Sequence, residues 1–517
     1  MSSVIDLLDY GLKLQPSNVC LVDRFQTYTH SEVQLASHRI ANAIHLEGLA
    51  KGARIGFFTL NCTQAMIAMI GTFRAGAVWL PVHPKNMRKE NLEFLVENKC
   101  EILFFHSQMA EDAIFFKSMS PFIKTIICLD SSYNEIPSVM EWSANHDSHF
   151  DGKNIGPNEI VWVKGTGGTT GRPKSVLVTN RCASALFTTF NWCLPLPSGH
   201  VTLVAAPVSH GAGTYALCGL CNGGSIVFIE KPEPAAIIKA LTEHKITTVF
   251  LPPTVIYKIL AMPNLEVRKY QSLRYLIYSA APMSPERLAD AIKVFGPVLT
   301  QIYGQTEAPA MLTVLRPEEH IVSDQELLKK RLSSCGRPTP FVKLEIMDDD
   351  GHILGVNKPG EIVVRGELVM KGYQDDPEET AKVSKFGWHH TGDIGLKDDD
   401  GYFYIVDRKK DMFISGGFNI FPSEIEQVLL KHNAVLDCAV IGAPDEQWGE
   451  AVTAIVELKP GFLAEISELQ MFCRESLGGM KTPKHVEIWP QLPRSSVGKV
   501  LRKDIREHLW KDQVRRV

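Results

Sequence analysis

A loop rich in glycine and threonine follows the apolar segment 160–163 and ends in a lysine. Its sequence, Lys164-Gly-Thr-Gly-Gly-Thr-Thr-Gly-Arg-Pro-Lys174, offers flexible backbone N–H groups, hydroxyls and a positive charge, which together suit a polyphosphate. It is not the Walker pattern, because Gly-Lys-Ser/Thr is absent and the following segment, 175–178, favours a strand. Taken alone, the loop fits a phosphate site and a plain hairpin turn equally well.

Five further polar motifs follow this loop in a fixed order. They are Tyr303-Gly-Gln-Thr-Glu307, Gly387-Trp-His-His-Thr-Gly-Asp393, Tyr404-Ile-Val-Asp-Arg408, Ser415-Gly-Gly-Phe-Asn419 and Leu492-Pro-Arg-Ser-Ser-Val-Gly-Lys499. In this order and at these distances, the motifs resemble those of the AMP-forming adenylating superfamily, which includes acyl-CoA and aryl-CoA synthetases, luciferases and the adenylation domains of peptide synthetases. The resemblance extends from about residue 20 to residue 505.

The resemblance implies a site for ATP and Mg²⁺. Glu307 would hold the cation, which prefers oxygen ligands. Asp393 would accept hydrogen bonds from the ribose, with Arg408 beside it; without the motif, a structural ion pair is the favoured explanation of these two residues. The remaining nucleotide-binding residues implied by the resemblance are Thr166, Gly167, Gly168, Thr169, Thr170, Gly171, Lys174, Ser279, Ala280, Ala281, Pro282, Tyr303, Gly304 and Thr306.

The resemblance also implies which residues act in catalysis. Attack of a carboxylate on the α-phosphorus brings two anions together, so a cation must neutralise the charge that develops. Lys499 would supply this cation, and His210, Thr306 and Glu307 are the other catalytic residues that the resemblance implies. Outside the motif, a lysine near the C-terminus is typical of a solvated surface. Gly167 stands where the superfamily usually has Ser or Thr, and Ser175 where it usually has Gly, but the charged residues are all present.

The acid pocket implied by the resemblance is mainly apolar. It comprises His210, Gly211, Tyr215, Tyr278, Ser279, Gly304, Ala308 and Met311. No carboxylate is among them to pair an α-ammonium group, and burying that charge unpaired is costly. We therefore expect a hydrophobic alicyclic, aromatic or aliphatic acid rather than an amino acid. His210 alone is equally typical of a buried core histidine.

The acceptor of the acyl group is the next inference from the resemblance. It implies a hinge at Lys410 and a tunnel for CoA beside Ser415, Gly416 and Gly417, although two glycines also suit a turn between strands. We expect acyl transfer to CoA, giving a thioester. The alternative is transfer to an amine, as in acid-amine ligases of the coronafacate-ligase type. A non-catalytic nucleotide sensor is the third possibility. A peptide-synthetase module is not expected, because no carrier-protein sequence follows residue 517.

The rest of the sequence predicts the scaffold that positions these residues. Short β-branched segments alternate with helical ones over the first 330 or so residues, which predicts an α/β fold with doubly wound sheets. Turn-rich strands between Lys343 and Gly372 predict a β-barrel-like subdomain. After the charged segment 407–411, the pattern changes to a small α+β unit, so we expect a large domain at residues 1–409 and a small, mobile C-terminal domain at residues 410–517.

Composition excludes several classes of protein. Hydrophobic residues make up 45% and charged residues 22%, and 54 basic against 58 acidic residues give a formal net charge of -4. This balance does not indicate a nucleic-acid or membrane surface. The 11 cysteines are scattered, no apolar run is long enough to span a bilayer, and the N-terminus does not resemble a signal peptide. We expect a cytoplasmic protein with inert thiols, including the close pair Cys218 and Cys221.

Overall fold

The computed structural model describes residues 2–152, 155–166, 174–263, 269–279, 283–495 and 500–511, together with residues 265, 267 and 281. Its first part alternates strands and helices. In chain order the elements are α1 (Val4–Leu14), β1 (Val19–Val22), β2 (Thr27–Thr29), α2 (His30–Leu46), β3 (Arg54–Phe58), α3 (Thr63–Arg74), β4 (Val78–Val82), α4 (Arg88–Glu97), β5 (Ile102–Phe105), α5 (Ala110–Met119), β6 (Thr125–Cys128), α6 (Val139–Ser143), β7 (Ile160–Gly165), β8 (Ser175–Thr179) and α7 (Asn180–Cys193).

The same alternation continues up to residue 332 and then gives way to strands. The elements are β9 (Val201–Val204), α8 (Gly211–Leu220), β10 (Ser225–Phe228), α9 (Pro234–Glu243), β11 (Thr248–Phe250), α10 (Pro253–Leu260), β12 (Tyr275–Tyr278), α11 (Pro285–Phe295), β13 (Leu299–Tyr303), β14 (Thr313–Leu315), α12 (Gln325–Leu332), β15 (Arg337–Pro338), β16 (Val342–Met347), β17 (Gly360–Gly366), β18 (Gly372–Tyr373), α13 (Pro377–Lys382), β19 (Ser384–Lys385), β20 (Trp388–Lys397) and β21 (Phe403–Arg408).

The C-terminal part is a smaller unit. It contains β22 (Phe413–Ser415), β23 (Phe418–Ile420), α14 (Pro422–Leu429), β24 (Val435–Asp445), β25 (Gly449–Leu458), α15 (Ile466–Lys481), β26 (His485–Ile488) and α16 (Arg502–Leu509). Its strands form a sheet of order β23-β22-β25-β24, with β26 parallel to β25. Among the described helices, none is both long and apolar enough to cross a membrane.

Three sheets form the large unit, and the central strands of the two largest are parallel. Their orders are β18-β8-β7-β4-β3-β5-β6 and β15-β14-β13-β12-β11-β9-β10-β1-β2. Strands such as β5 (ILFF) are buried along their whole length because helices cover both faces of a parallel sheet. A continuous core of buried side chains joins α3, α7 and α8, which pack between elements of both sheets. The expected α/β architecture, with a smaller C-terminal unit, is confirmed.

The sheets are less uniformly parallel than the alternation of elements suggests. Strands β7 and β8 form an antiparallel hairpin, and β14 and β15 extend the second sheet in antiparallel pairing. A hairpin is the only connection short enough to join β7 to β8, because a parallel crossover needs a dozen or more residues. The strands β16, β17, β20, β19 and β21 form a separate antiparallel sheet, as the turn signals after Lys343 indicate.

Candidate active site

The base of the glycine-rich loop is closed by two hydrogen bonds between Thr166 and Lys174. The Thr166 backbone N–H donates to the Lys174 carbonyl at 2.9 Å, and the Lys174 N–H donates to Thr166 Oγ1 at 3.1 Å. The Lys174 ammonium lies 2.5 Å from Glu379 Oε2 and 4.9 Å from the centre of the Tyr373 ring. Five predicted loop residues lie outside the described residues, namely Gly167, Gly168, Thr169, Thr170 and Gly171.

Glu307 lies in the turn after β13 and is held at both its backbone and its carboxylate. Its carbonyl accepts the Met370 N–H at 2.8 Å, and its Oε1 accepts the Tyr373 hydroxyl at 2.9 Å. Burial and the Glu307 charge raise the pKa of Tyr373, so this tyrosine remains a donor. Because β18 pairs with β8, Tyr373 also fixes Glu307 relative to the base of the loop.

Asp393 and Arg408 face each other across the antiparallel pair β20 and β21. The Tyr303 hydroxyl donates to Asp393 Oδ2 at 2.7 Å, and Arg408 Nε lies 3.6 Å from Asp393 Oδ1. Burial, followed by the charge of Asp393, raises the pKa of Tyr303 well above its usual range. The structure therefore brings together the carboxylate and the cation that the motifs predict for the ribose, and links them to β13.

His210 stands at the start of α8, where its side chain meets a second histidine. The rings of His83 and His210 are 4.5 Å apart at 86°, and Ser209 Oγ lies 3.0 Å from His210 Nδ1. His83 follows β4, is buried, and accepts the Lys85 N–H through Nδ1 at 3.0 Å. Burial, with the nearby Lys85 charge, lowers the pKa of His83 to about 4, so the ring is neutral near pH 7.

The other acyl-pocket residues lie on α8 and around the end of β13. Tyr215 is buried and packs on the rings of Phe190 and Phe250, at 5.7 and 5.3 Å. Gly211 precedes it by one turn, and a Cβ there would lie 3.4 Å from the Tyr215 ring. Ala308 and Met311 are fully buried.

Gly304 marks a close backbone approach at the end of β13. A Cβ at this position would lie 2.6 Å from the carbonyl carbon of Ala310, which itself has a positive φ of 63°. A side chain larger than hydrogen would therefore displace the turn that carries Thr306 and Glu307. Thr306 lies in that turn and is partly exposed.

The residues at and after the end of β12 differ in their burial. Tyr278 is fully buried, and its hydroxyl lies 3.2 Å from Gln301 Oε1 and 3.0 Å from His320 Nε2. Its side chain thus belongs to the core beneath the strand, and its contact with an acyl group stays a prediction. Ser279 and Ala281 retain partly exposed surface. Ala280 and Pro282 lie outside the described residues.

The junction residue Lys410 lies close to the site that the motifs define. Burial and the neighbouring Arg408 lower its pKa, whereas the carboxylates of Asp393 and Glu307 act on it in the opposite direction. Strand β21 ends at Arg408, and β22 begins at Phe413 in a different sheet. Lys410 therefore occupies the short connection between the two units and is within electrostatic reach of the nucleotide site.

Ser415, Gly416 and Gly417 form the turn between β22 and β23. Gly416 and Gly417 have φ values of 56° and 85°, which a hairpin turn of two residues requires. A Cβ on Gly416 would lie 2.7 Å from the Trp448 indole, whose residue also accepts the Gly416 N–H at 3.0 Å. Both the turn and the close indole explain the glycines, and the acceptor tunnel stays a prediction.

Lys499 lies outside the described residues, but the flanks of its loop are described. Arg494 and Val500 form an antiparallel bridge, and the Leu501 N–H donates to the Pro493 carbonyl at 2.8 Å. Arg494 also lies 2.8 Å from Asp437 and 3.0 Å from Glu457. These ion pairs fix the base of the loop on β24 and β25.

Four residues around the site were not predicted from the motifs. Tyr373, Glu379 and His83 contact predicted residues directly, and Lys164 lies beneath α8. The sequence carried a signal for Tyr373 and Glu379. The dipeptide Gly372-Tyr373 is followed closely by the acidic segment 376–379, which has the composition of a helix start. His83 and Lys164 gave no such signal. The cysteines predicted to be inert, including Cys218 and Cys221, are all buried free thiols.

Together, these features define the class of the protein. A loop base with a lysine, a carboxylate held by a tyrosine and an aspartate–arginine pair make up one group of polar residues, and an apolar helix start with two histidines makes up a second. This arrangement is that of an adenylate-forming enzyme, in which a nucleotide and an organic acid meet at one site.

Comparison with known proteins leads to the same class. The AMP-binding enzyme family model matches residues 9–374, and the AMP-binding enzyme C-terminal domain model matches residues 424–499. The chain therefore belongs to the AMP-binding enzyme family and is an AMP-forming ligase.

Individual relatives differ in the acceptor that their names record. The chain is 37% identical to medium/long-chain-fatty-acid–CoA ligase FadD8 of Mycobacterium tuberculosis over 70% of this chain and 63% of that protein. It is 32% identical to feruloyl-CoA synthase of an Amycolatopsis species over 92% and 93% of the two chains. The structure of the amide bond synthetase McbA from Marinactinospora thermotolerans superposes with a TM-score of 0.88, at 26% identity, and covers 98% of this chain and 99% of that one.

Proposed function

We propose that this protein activates a hydrophobic carboxylic acid with ATP and Mg²⁺ to an acyl-adenylate, and then transfers the acyl group to CoA. The observation that carries the proposal is the convergence of two tyrosine-held carboxylates, Glu307 and Asp393, at one site. Glu307 lies beside the base of the glycine-rich loop, whereas Asp393 lies beside Arg408. The first position would bind the polyphosphate with its metal ion, and the second would bind the ribose, so the two together suit ATP.

Glu307 suits Mg²⁺ because it offers a hard carboxylate oxygen whose position is fixed by Tyr373 and by Met370. Mg²⁺ is commonly held by one or two carboxylates together with substrate phosphates, so a single glutamate is a sufficient protein ligand. When bound, the cation would withdraw charge from the phosphate oxygens. The cluster of Asp348, Asp350 and His352, by contrast, lies in an exposed turn after β16.

Lys174 would bind phosphate by exchanging its partner. Its ammonium pairs with Glu379, and this contact lowers the pKa of Glu379 to about 2. The phosphates would compete with Glu379 for Lys174. Thr166, Gly167, Gly168, Thr169, Thr170, Gly171 and Thr306 would supply the neighbouring donors, while Tyr303, Gly304 and residues 279–282 would line the adenine.

Lys499 would neutralise the charge that builds up as the acid attacks the α-phosphorus. Lys499 follows Arg494, which is anchored to the sheet of the C-terminal unit by Asp437 and Glu457, so this unit would carry Lys499 to the acid. We place the domain boundary between residues 409 and 410 and the hinge at Lys410, because the chain passes there between sheets within a few residues.

The acid would bind beside His83 and His210, along the face of α8. Gly211 leaves space there, and Tyr215, Ala308 and Met311 supply apolar surface. The names of FadD8 and feruloyl-CoA synthase record medium- or long-chain fatty acids and a feruloyl group. We infer a hydrophobic acid for this chain, in a cytoplasmic setting that its buried free thiols support.

CoA is the preferred acceptor because the turn Ser415-Gly416-Gly417 presents backbone without side chains beside Trp448. The second candidate is an amine acceptor, giving an amide. It is favoured by the similarity to McbA across nearly the full length of both chains.

Pyrophosphate release with a panel of acids tests the first half-reaction. We expect release with hydrophobic acids, and its loss in Lys499→Ala. Lys503→Ala, which removes a partly exposed lysine on α16, is the matched control. Release that is unchanged in Lys499→Ala would contradict the assignment, and no release with any acid would contradict the enzyme.

Mass spectrometry of the products tests the second half-reaction. The enzyme is given ATP, Mg²⁺ and an active acid, with CoA in one reaction and mixed amino acids in another. A thioester with CoA is the expected product. An amide without a thioester would exclude CoA and establish the second candidate.

A further inference from the structure

A buried lysine that the reaction does not use lies beneath the acyl pocket. Lys164 is on β7, and its ammonium lies 3.0 Å from Thr214 Oγ1 on α8. The ammonium is also 5.1 Å from the centre of the Trp79 ring and 4.9 Å from that of Trp162. Two indole faces stabilise the cation, but they supply it with no oxygen acceptor.

The lysine faces the same surface of α8 as the predicted acyl residues. With 100° between successive residues, Gly211, Thr214, Tyr215 and Cys218 all lie within about 100° of one another on the helix. Thr214 contacts Lys164, and the Cys218 thiol also acts electrostatically on it. The lysine therefore lies along the face that begins at His210.

The two strands beneath α8 place different side chains at the two ends of this helix face. On β4, Trp79 lies at the start of the strand and His83 just after its end, while Trp79 pairs in register with Trp162 on β7. His83 meets His210 at one end, and Trp79 meets the Lys164 ammonium at the other. Lys164 is surrounded by protein yet keeps some accessible surface. Its ammonium therefore lies between β7 and α8, on the helix face that begins at His210.

Three neighbouring donor groups, the Lys164 ammonium and two indole nitrogens, have few acceptors among the residues that the structure describes. Thr214 is the oxygen recorded for the Lys164 ammonium, which carries three N–H bonds. The indole nitrogens of Trp79 and Trp162 are buried without a hydrogen-bond partner in the same part of the chain. Buried donors are usually satisfied, so an unsatisfied group of this kind is suited to an acceptor on a ligand.

We propose that Lys164 recognises an oxygen atom, a ketone carbonyl or a second carboxylate, at the far end of the acid that the enzyme activates. This inference rests on the proposed function, and it refines the substrate class to a hydrophobic acid with one distal oxygen group. A site built to bond such an oxygen discriminates strongly against an analogue that lacks it, because its own donors then stay unpaired.

The test compares three acids of equal length over a series of chain lengths. One ends in methyl, one carries a ketone next to the terminal methyl, and one ends in a second carboxylate. Initial rates of pyrophosphate release give kcat/KM for each. We expect the wild type to prefer an oxygenated acid at one chain length by about ten- to a hundred-fold over the methyl acid.

Two variants and one control assign the preference to Lys164. Lys164→Met keeps the length of the side chain and should abolish the preference while still accepting the methyl acid. Lys164→Gln keeps a donor without the charge, so it should retain preference for the ketone and lose any for the carboxylate. Lys239→Met, a largely exposed lysine on α9, should behave as the wild type.

The outcomes separate this inference from the proposed function. If some acids react but Lys164→Met and the wild type show the same ratio of kcat/KM between oxygenated and methyl acids, the inference is wrong and the function stands. Preference for the methyl acid in the wild type at every length also overturns it. If no acid releases pyrophosphate, the proposed function itself is wrong.

Discussion

The nucleotide end and the acyl end of the site differ in how their polar groups are partnered. At the nucleotide end, each carboxylate accepts a tyrosine hydroxyl, at 2.9 Å for Glu307 and 2.7 Å for Asp393. These contacts hold the polar groups there in position, and groups held in this way cost little to reorganise during a reaction.

The acyl end is arranged in the opposite way. In the part of the chain that the structure describes, the Lys164 ammonium has one oxygen partner, and His83 Nε2 and two indole nitrogens have none. Leaving such groups unsatisfied costs stability. The comparison teaches that, among the described residues, the polar groups at the predicted nucleotide end hold one another in position, whereas several at the predicted acyl end have few or no partners.

The largest expected effect is at the nucleotide end, from Glu307→Gln. The amide keeps the shape of the side chain but removes the negative charge that would hold Mg²⁺. We expect pyrophosphate release to fall by about 10²- to 10³-fold, or about 3–4 kcal/mol of transition-state stabilisation. The melting temperature should change little, because Glu307 is partly exposed. A rate near that of the wild type at saturating Mg²⁺ would remove Glu307 from the metal site.

The next effect is at the acyl end and concerns stability instead of rate. Burial lowers the pKa of Lys164 to about 8 from an ordinary 10.5. The folded state therefore binds fewer protons than the unfolded state between these values, and stability should rise with pH across that window. Below pH 8 the buried charge costs about 2–3 kcal/mol, so Lys164→Met should be more stable there by up to that amount.

Denaturant unfolding at pH 7 and pH 10 measures this difference. The advantage of Lys164→Met should be largest at pH 7 and shrink at pH 10, whereas Lys239→Met should follow the wild type at both values. A Lys164→Met protein that is less stable than the wild type at pH 7 would mean that the ammonium is well satisfied without a ligand. The proposed contrast between the two ends would then fail.

The same contrast explains what the sequence could predict. Glu307, Asp393 and Arg408 lie in short motifs, and their pairing follows from strand ends and from one antiparallel register, so motif order was enough to bring them together. The strand β7 and the hairpin to β8 were also predictable, because the loop is too short for a crossover.

The acyl end could not be predicted in this way. Lys164 is the first residue of the glycine-rich segment, and no pattern in the sequence indicates that its ammonium packs against two indoles. Which way a strand residue points depends on the register of β7 against β4, and that register is set by packing between distant segments. His83 is likewise 127 residues from its partner His210, and no local pattern links them.

The smallest effect sharpens the comparison at the nucleotide end. Tyr373→Phe removes one hydrogen bond to Glu307 and leaves the ring beside Lys174 in place. Because a hydrogen bond to a charged group contributes about 1–2 kcal/mol, pyrophosphate release should fall by about 5- to 30-fold. If Tyr373 acts by positioning Glu307, the loss should appear as a higher Mg²⁺ requirement and be partly restored at high Mg²⁺. A loss of the same size at every Mg²⁺ concentration would show that the hydroxyl acts elsewhere. Tyr373 would then not be the group that positions the Glu307 carboxylate at this end of the site.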